Sequence, residues 1–179
     1  VDSVVKHELA SSAYNDRRKS CENVVAALKN KYPDKTIETL RDADWDMLES
    51  VKADVSEEDM KRAVYVLGEK DRVLAVCEAL NAGDYETVGQ KMYETHKGLS
   101  KDYEVSCEEL DYLNDIAKEN GVTGSRIMGG GFGGCTINLV KDELHDKFIE
   151  DVKAKYEAKY GKTPKIYDVV ISEGSRKIC

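Results

Sequence analysis

The sequence contains no apolar run long enough to cross a bilayer or to read as a secretory signal. No membrane partner is expected, and a cytoplasmic location is. There is no basic excess either: 27 Lys and Arg stand against 35 Asp and Glu, for a net charge of −8. General nucleic-acid binders need a positive face for the phosphate backbone, so no nucleic-acid partner is expected. The five cysteines (Cys21, Cys77, Cys107, Cys135 and Cys179) are odd in number, scattered and free of any CxxC pair. This argues against a disulfide framework or a zinc site and fits a reducing compartment. His7 and His145 have no ligand-like spacing, so no metal site is expected from the residues.

What is present is 179 residues, 41% apolar and 35% charged, enough for one domain with a real core. Val1 to Lys6 reads as a short strand. Ser11 and Ser12 are candidate N-caps for a helix with Cys21, Val24, Val25 and Leu28 on one stripe and Pro33 beyond its end. A short helix is expected within Asp44 to Val51. Ser56 opens a long helix whose stripe of Met60, Ala63, Val64, Leu67, Leu74 and Cys77 is expected to be buried, with Gly83 as its stop. Tyr85, Val88, Met92, His96 and Leu99 mark the next helix, which makes His96 a core or cleft histidine. Ser106 and Glu109 have capping-box spacing before Leu110, Leu113, Ile116 and Ala117. After Gly124 the period changes. Residues 125–128 and 135–140 read as strands, a helix carries Leu144, Phe148, Val152 and Tyr156, and residues 166–171 read as a last strand. Helices followed by strand, turn, strand, helix and strand predict an α+β fold, with an antiparallel sheet packed against several helices.

The run Gly129-Gly130-Gly131-Phe132-Gly133-Gly134 is the most informative feature. Each glycine loses extra backbone entropy on folding, so five in six residues answer a need for positive φ or for a bare surface. Successive N–H groups in such loops form anion nests. Gly129, Gly131 and Gly134 satisfy G-x-G-x-x-G, but that fingerprint leads into a helix and here a strand follows. A Walker A loop needs a lysine, and Gly133-Gly134-Cys135 has none. A ligand-free hairpin turn and a ligand-adjacent loop both fit the residues alone. Arg17 and Arg18 point about a hundred degrees apart on a helix, so ion pairs with nearby carboxylates are expected rather than a shared phosphate. Asp16 and Asp111 read as helix-surface carboxylates.

The flanks of the glycine run narrow the reading. Gly124-Ser125-Arg126-Ile127-Met128, the glycine run and Cys135-Thr136 together resemble the third motif of galactokinases, GSRMTGGGFGGC, with Met128 departing from it. Residues 102–111, Asp-Tyr-Glu-Val-Ser-Cys-Glu-Glu-Leu-Asp, are similar to that family's DDYEVSCPELD, with Lys101 and Glu108 departing. Leu9 to Cys21 resembles its S-x-Y-N-x-R-R-x-x-C segment.

The resemblance implies a ferredoxin-like C-terminal domain of a GHMP kinase over residues 11–179, with residues 1–10 a strand or linker from a first lobe. It further implies transfer of the ATP γ-phosphoryl group to the anomeric hydroxyl of galactose, with Mg2+, in an intact parent. The family's first lobe holds the sugar motif, phosphate loop, magnesium ligands and catalytic aspartate, and none of these is found here. No catalytic residue is therefore expected in this sequence, and the chain by itself should be inactive, with the first lobe as its missing partner. Carried over residue by residue, Tyr14 becomes the galactose contact, and Gly129, Gly130, Gly131, Phe132, Gly133 and Gly134 the support of the phosphate loop. Arg126 would bind a carboxylate across the lobe interface or assist at phosphate. A kinase for N-acetylgalactosamine or another sugar, and a non-catalytic galactose sensor, remain open.

Overall fold

Val24, Val25 and Leu28 recur at the spacing of one helical face, and that face is buried in α1 (Ala10–Lys31). The computed structural model describes residues 1–5, 10–170 and 174. The expected caps Ser11 and Ser12 already stand within the helix, and their side chains lie outside the described residues. Lys29 and Lys31 complement the negative end of the helix. The chain then returns through a 3-10 turn (Leu40–Asp42) with a capping box between Thr39 and Asp42. It continues through α2 (Trp45–Ser50), where the Asp44 carboxylate accepts the Met47 N–H at 2.8 Å.

Helix α3 (Glu57–Ala82) starts at the Ser56 cap and stops at Gly83, whose φ of 70° closes it in the left-handed region. Its first half, with Met60, Ala63 and Leu67, completes one core with Val24, Leu28, Leu48 and Val51. Three residues of the expected stripe are exposed instead: Val64 in the first half, and Leu74 and Cys77 in the second. The first core reaches no further along α3 than Leu67, so nothing from it covers the later turns. Helix α4 (Tyr85–Lys101) packs on α3 and also on the sheet, linking the two halves of the fold. At the sheet, Gly89 of α4 lies so close to the Thr123 carbonyl that a Cβ would overlap it.

Helix α5 (Glu108–Glu119), strands β1 (Gly124–Met128) and β2 (Cys135–Leu139), and helix α6 (His145–Tyr160) follow. Leu113, Ile116, Val122, Phe148, Val152 and Tyr156 form the second core. The strands pair antiparallel, from Gly124 opposite Leu139 to Met128 opposite Cys135. Asp2 bridges Cys135 on one side and Lys165 on the other. The extended segments therefore lie in the order Lys165, Asp2, β2, β1, with α1 to α5 between the first and second in sequence and α6 between the third and fourth. This is the split βαβ arrangement of a ferredoxin-like α+β fold.

The expected outer strands shrink to these single bridges. Val4 has a φ of 57°, which takes the backbone out of the β region right after Ser3. Residues 166–170 form no strand: Tyr167, Val169 and Val170 are exposed and find no face to bury against. Lys6 and Ile171 lie outside the described residues.

Candidate functional site

The glycine run makes the turn from β1 to β2, with φ of 84° at Gly129, 81° at Gly131, 58° at Phe132, 128° at Gly133 and 79° at Gly134. The turn has an inner and an outer part. A Cβ on Gly131 would overlap the Val105 carbonyl, and one on Gly133 would lie 2.8 Å from the Val5 carbonyl oxygen. These inner glycines are required by the chain's own packing. Gly129 and Gly130 are exposed, and a Cβ on either would meet no atom within 4 Å. Gly129 and Gly130 thus present the bare surface expected of the run while Gly131 and Gly133 do not, and a valine at Gly131 would report on folding before it reported on any ligand.

The turn is tied down from two sides. The Phe132 N–H donates to the Val105 carbonyl at 2.7 Å. The Gly134 carbonyl accepts the Ser3 N–H at 2.8 Å and the Ser3 hydroxyl at 2.7 Å. Among the described residues three non-glycine residues take positive φ: Phe132 within this turn, and Val4 and Glu104, each next to a residue that contacts it. Such conformations cost about 1–3 kcal/mol each and persist where the surroundings over-determine them.

Arg17 departs from the expected ion pair. Its Nε donates to the Tyr103 carbonyl at 2.9 Å and its Nη2 to the Glu104 carbonyl at 2.6 Å. The guanidinium carbon also lies 5.6 Å from the centre of the Phe132 ring. Arg18, by contrast, pairs with Glu22 at 2.8 Å as expected. Tyr14 precedes Arg17 by three residues on α1, hence on the same side, and is 56% exposed. Burial pushes the Tyr103 phenol up, and nearby Cys21 and Tyr14 push it the same way.

Asp111 is no surface carboxylate. It accepts the Ser106 hydroxyl at 2.6 Å, the Ser100 hydroxyl at 2.8 Å and a bond from His96 Nε2 at 3.1 Å. Burial alone would raise this carboxyl, but the bonds from His96, Ser106 and Ser100 prevail and hold it at about 2. His96 is buried, as its stripe implied, and among the described residues its Nδ1 has no hydrogen-bond partner. With the Ser106 hydroxyl given to Asp111, the expected capping box is absent: Cys107 is the N-cap of α5, and no side chain caps the helix. Arg126 is half-buried and donates to the Ile127 carbonyl at 2.9 Å; among the described residues no carboxylate pairs with it. Nor, among the described residues, do three His, Cys, Asp or Glu side chains converge to hold a metal ion.

Residue spacing did not foresee the roles of Arg17 and Asp111, although both lie within the segments compared above. The usable signal was the three-residue step from Tyr14 to Arg17, which sets both on one helical face.

Comparison with known proteins adds independent findings. Residues 76–158 match the family described as GHMP kinases C terminal. The chain is 43% identical over 174 residues to a galactokinase of Clostridium acetobutylicum, covering 97% of this chain and 44% of that protein. It is 39% identical over 179 residues to a galactokinase of Homo sapiens, covering 99% of this chain and 43% of that one. The crystal structure of Lactococcus lactis galactokinase complexed with galactose matches with a TM-score of 0.83 and 28% identity, over 93% of this chain and 42% of that chain. The chain thus spans less than half the length of each of these relatives.

Proposed function

We propose that this chain, whose residues 76–158 match the family described as GHMP kinases C terminal and which is similar to galactokinases along nearly its whole length, forms the second lobe of a kinase that phosphorylates galactose from ATP. The observation that carries this reading is the match to galactokinases over 97% of the chain, glycine turn included. Phosphoryl transfer demands little covalent chemistry from the protein; it is driven by positioning and by stabilising charge on the γ-phosphate. A lobe without a general base can contribute to that by shaping the cleft.

In this reading Gly129 and Gly130 form a wall without side chains beside the phosphates and the sugar. The open space in front of both positions is what such a wall needs. The glycine turn as a whole, Gly129 to Gly134, supports the phosphate-binding loop of the first lobe. Tyr14 offers the galactose ring a rigid phenol, an apolar face with a polar tip, and its exposure leaves that tip free to bond. Magnesium enters with ATP and takes its protein ligands from the first lobe. Arg126 reaches a carboxylate of that lobe on assembly, exchanging its present bond to a carbonyl.

The test is to express the full-length protein containing this chain and incubate it with galactose and MgATP. Galactose 1-phosphate formed at a rate dependent on both substrates supports the reading. Phosphorylation of N-acetylgalactosamine but not galactose, or binding of galactose without turnover, rejects it.

A further inference from the structure

The segment 103–106 lies between the helix that bears Tyr14 and the glycine turn, and it is held from every side. Glu104 has a φ of 55°, in the left-handed region where successive carbonyls point the same way, as in a helix. The Tyr103 and Glu104 carbonyls accordingly both meet the Arg17 fork, at 2.9 and 2.6 Å. From α3, Lys61 and Arg62 approach the Glu104 carboxylate at 3.7 and 3.8 Å. From α4 the Leu99 carbonyl takes the Val105 N–H at 2.9 Å. From α5, Asp111 holds Ser106. At the centre, the Val105 carbonyl takes the Phe132 N–H, and Arg17 lies over the Phe132 ring.

We propose that Arg17 is a positioning residue that fixes the glycine turn relative to the Tyr14 face of α1, acting through the Tyr103 and Glu104 carbonyls and through Phe132. The proposal rests on the kinase reading above and adds the part that sets its geometry. A planar guanidinium with donors in a rigid fork bonds two neighbouring carbonyls and covers a ring at once, whereas an ammonium can reach two carbonyls but has no fixed fork to align them and no plane to lay over the ring. In an enzyme that works by positioning, a misplacement of about 1 Å far from the chemistry can cost up to a hundredfold. Lysine at this position therefore keeps the charge and loses the alignment.

The experiment compares Arg17→Lys, Arg17→Met and a control, Arg18→Met, in the full-length kinase. Arg18 faces solvent and pairs only with Glu22 among the described residues, so its replacement should leave the kinetics unchanged. For Arg17→Lys the expected result is a roughly tenfold or greater fall in kcat/KM for galactose. It should come with a raised KM for galactose and faster hydrogen exchange in the peptide covering residues 129–134. A merely structural role predicts instead that kcat falls in step with the folded fraction while KM stays constant. That outcome overturns the proposal, as does wild-type kinetics in Arg17→Lys. A wild-type protein that phosphorylates no galactose defeats the kinase reading itself. The exchange measurement still separates the two, because slow exchange in the glycine turn of Arg17→Lys contradicts the clamp whatever the activity.

Discussion

The Val105 carbonyl accepts the Phe132 N–H at 2.7 Å, and the same carbonyl occupies the space into which a Gly131 side chain would project. One peptide unit thus explains both why the turn is fixed and why one of its glycines has no alternative.

That relationship separates two neighbouring glycines by stability. Gly131→Ala meets backbone and a φ of 81°, and should destabilise the chain by about 1–3 kcal/mol. Gly130→Ala meets nothing, has no positive φ, and should lie within about 0.5 kcal/mol of wild type. Urea unfolding followed by far-UV circular dichroism measures both, and equal effects would refute the inner and outer division of the turn.

Two helical glycines should respond with opposite sign. Alanine is ordinarily better than glycine in a helix by about 1 kcal/mol. At Gly68 the new methyl meets only the Arg72 guanidinium, 3.3 Å away on a flexible side chain, so Gly68→Ala should stabilise by up to about 1 kcal/mol. At Gly89 it meets the Thr123 backbone, and Gly89→Ala should destabilise by about 1–3 kcal/mol. Thermal melts of the two variants, run side by side, check the signs.

Asp111 predicts a pH dependence. Its carboxyl is held at about 2, below the ordinary 3.8, so its contribution is complete above the ordinary value and is lost as pH falls through the held one. The charged and titratable groups facing it are His96 and Lys101. The side chain is 32% exposed, and with solvent screening the contribution is about 1–2 kcal/mol. Asp111→Asn should therefore be less stable than wild type at pH 7 by that amount, with the gap closing towards pH 2. A gap constant over this range would show that the carboxylate charge contributes nothing.

Tyr14→Phe should leave stability unchanged, since the side chain is largely exposed. On the proposed kinase reading, the full-length protein carrying this change should show a galactose KM raised severalfold and an ATP KM changed less. Steady-state kinetics with each substrate varied in turn decide this, and an unaltered galactose KM would remove Tyr14 from the sugar site.

Much of the fold was legible because it depends on local chemistry. The Ser56 cap, the Gly83 stop and the strand at Cys135–Leu139 each act within a few residues, and the structure has them, although the residue that β2 buries is Thr136 rather than its apolar neighbours. The outer strands were not legible, because a φ of 57° at Val4 is imposed by long-range ties such as Ser3 to Gly134. The outer half of α3 misled for a related reason: an apolar stripe shows that cover is favourable, and only the packed fold shows where cover ends.

At the site, the glycine run itself was readable. Its division into inner and outer parts was not, because Val105 and Val5 come to it from remote positions in the chain. Asp111 looked like a surface carboxylate for the same reason: two of its three partners, His96 and Ser100, come from another helix.

The most direct test of the account is the turnover number for galactose of Gly130→Val in the full-length protein, measured beside its unfolding curve. The account predicts an unfolding midpoint close to wild type, because a Cβ at Gly130 meets no atom within 4 Å, and a kcat lowered at least about tenfold, because in the proposed reading that open space lies beside the reacting groups. A kcat equal to wild type in a fully folded Gly130→Val protein would contradict it.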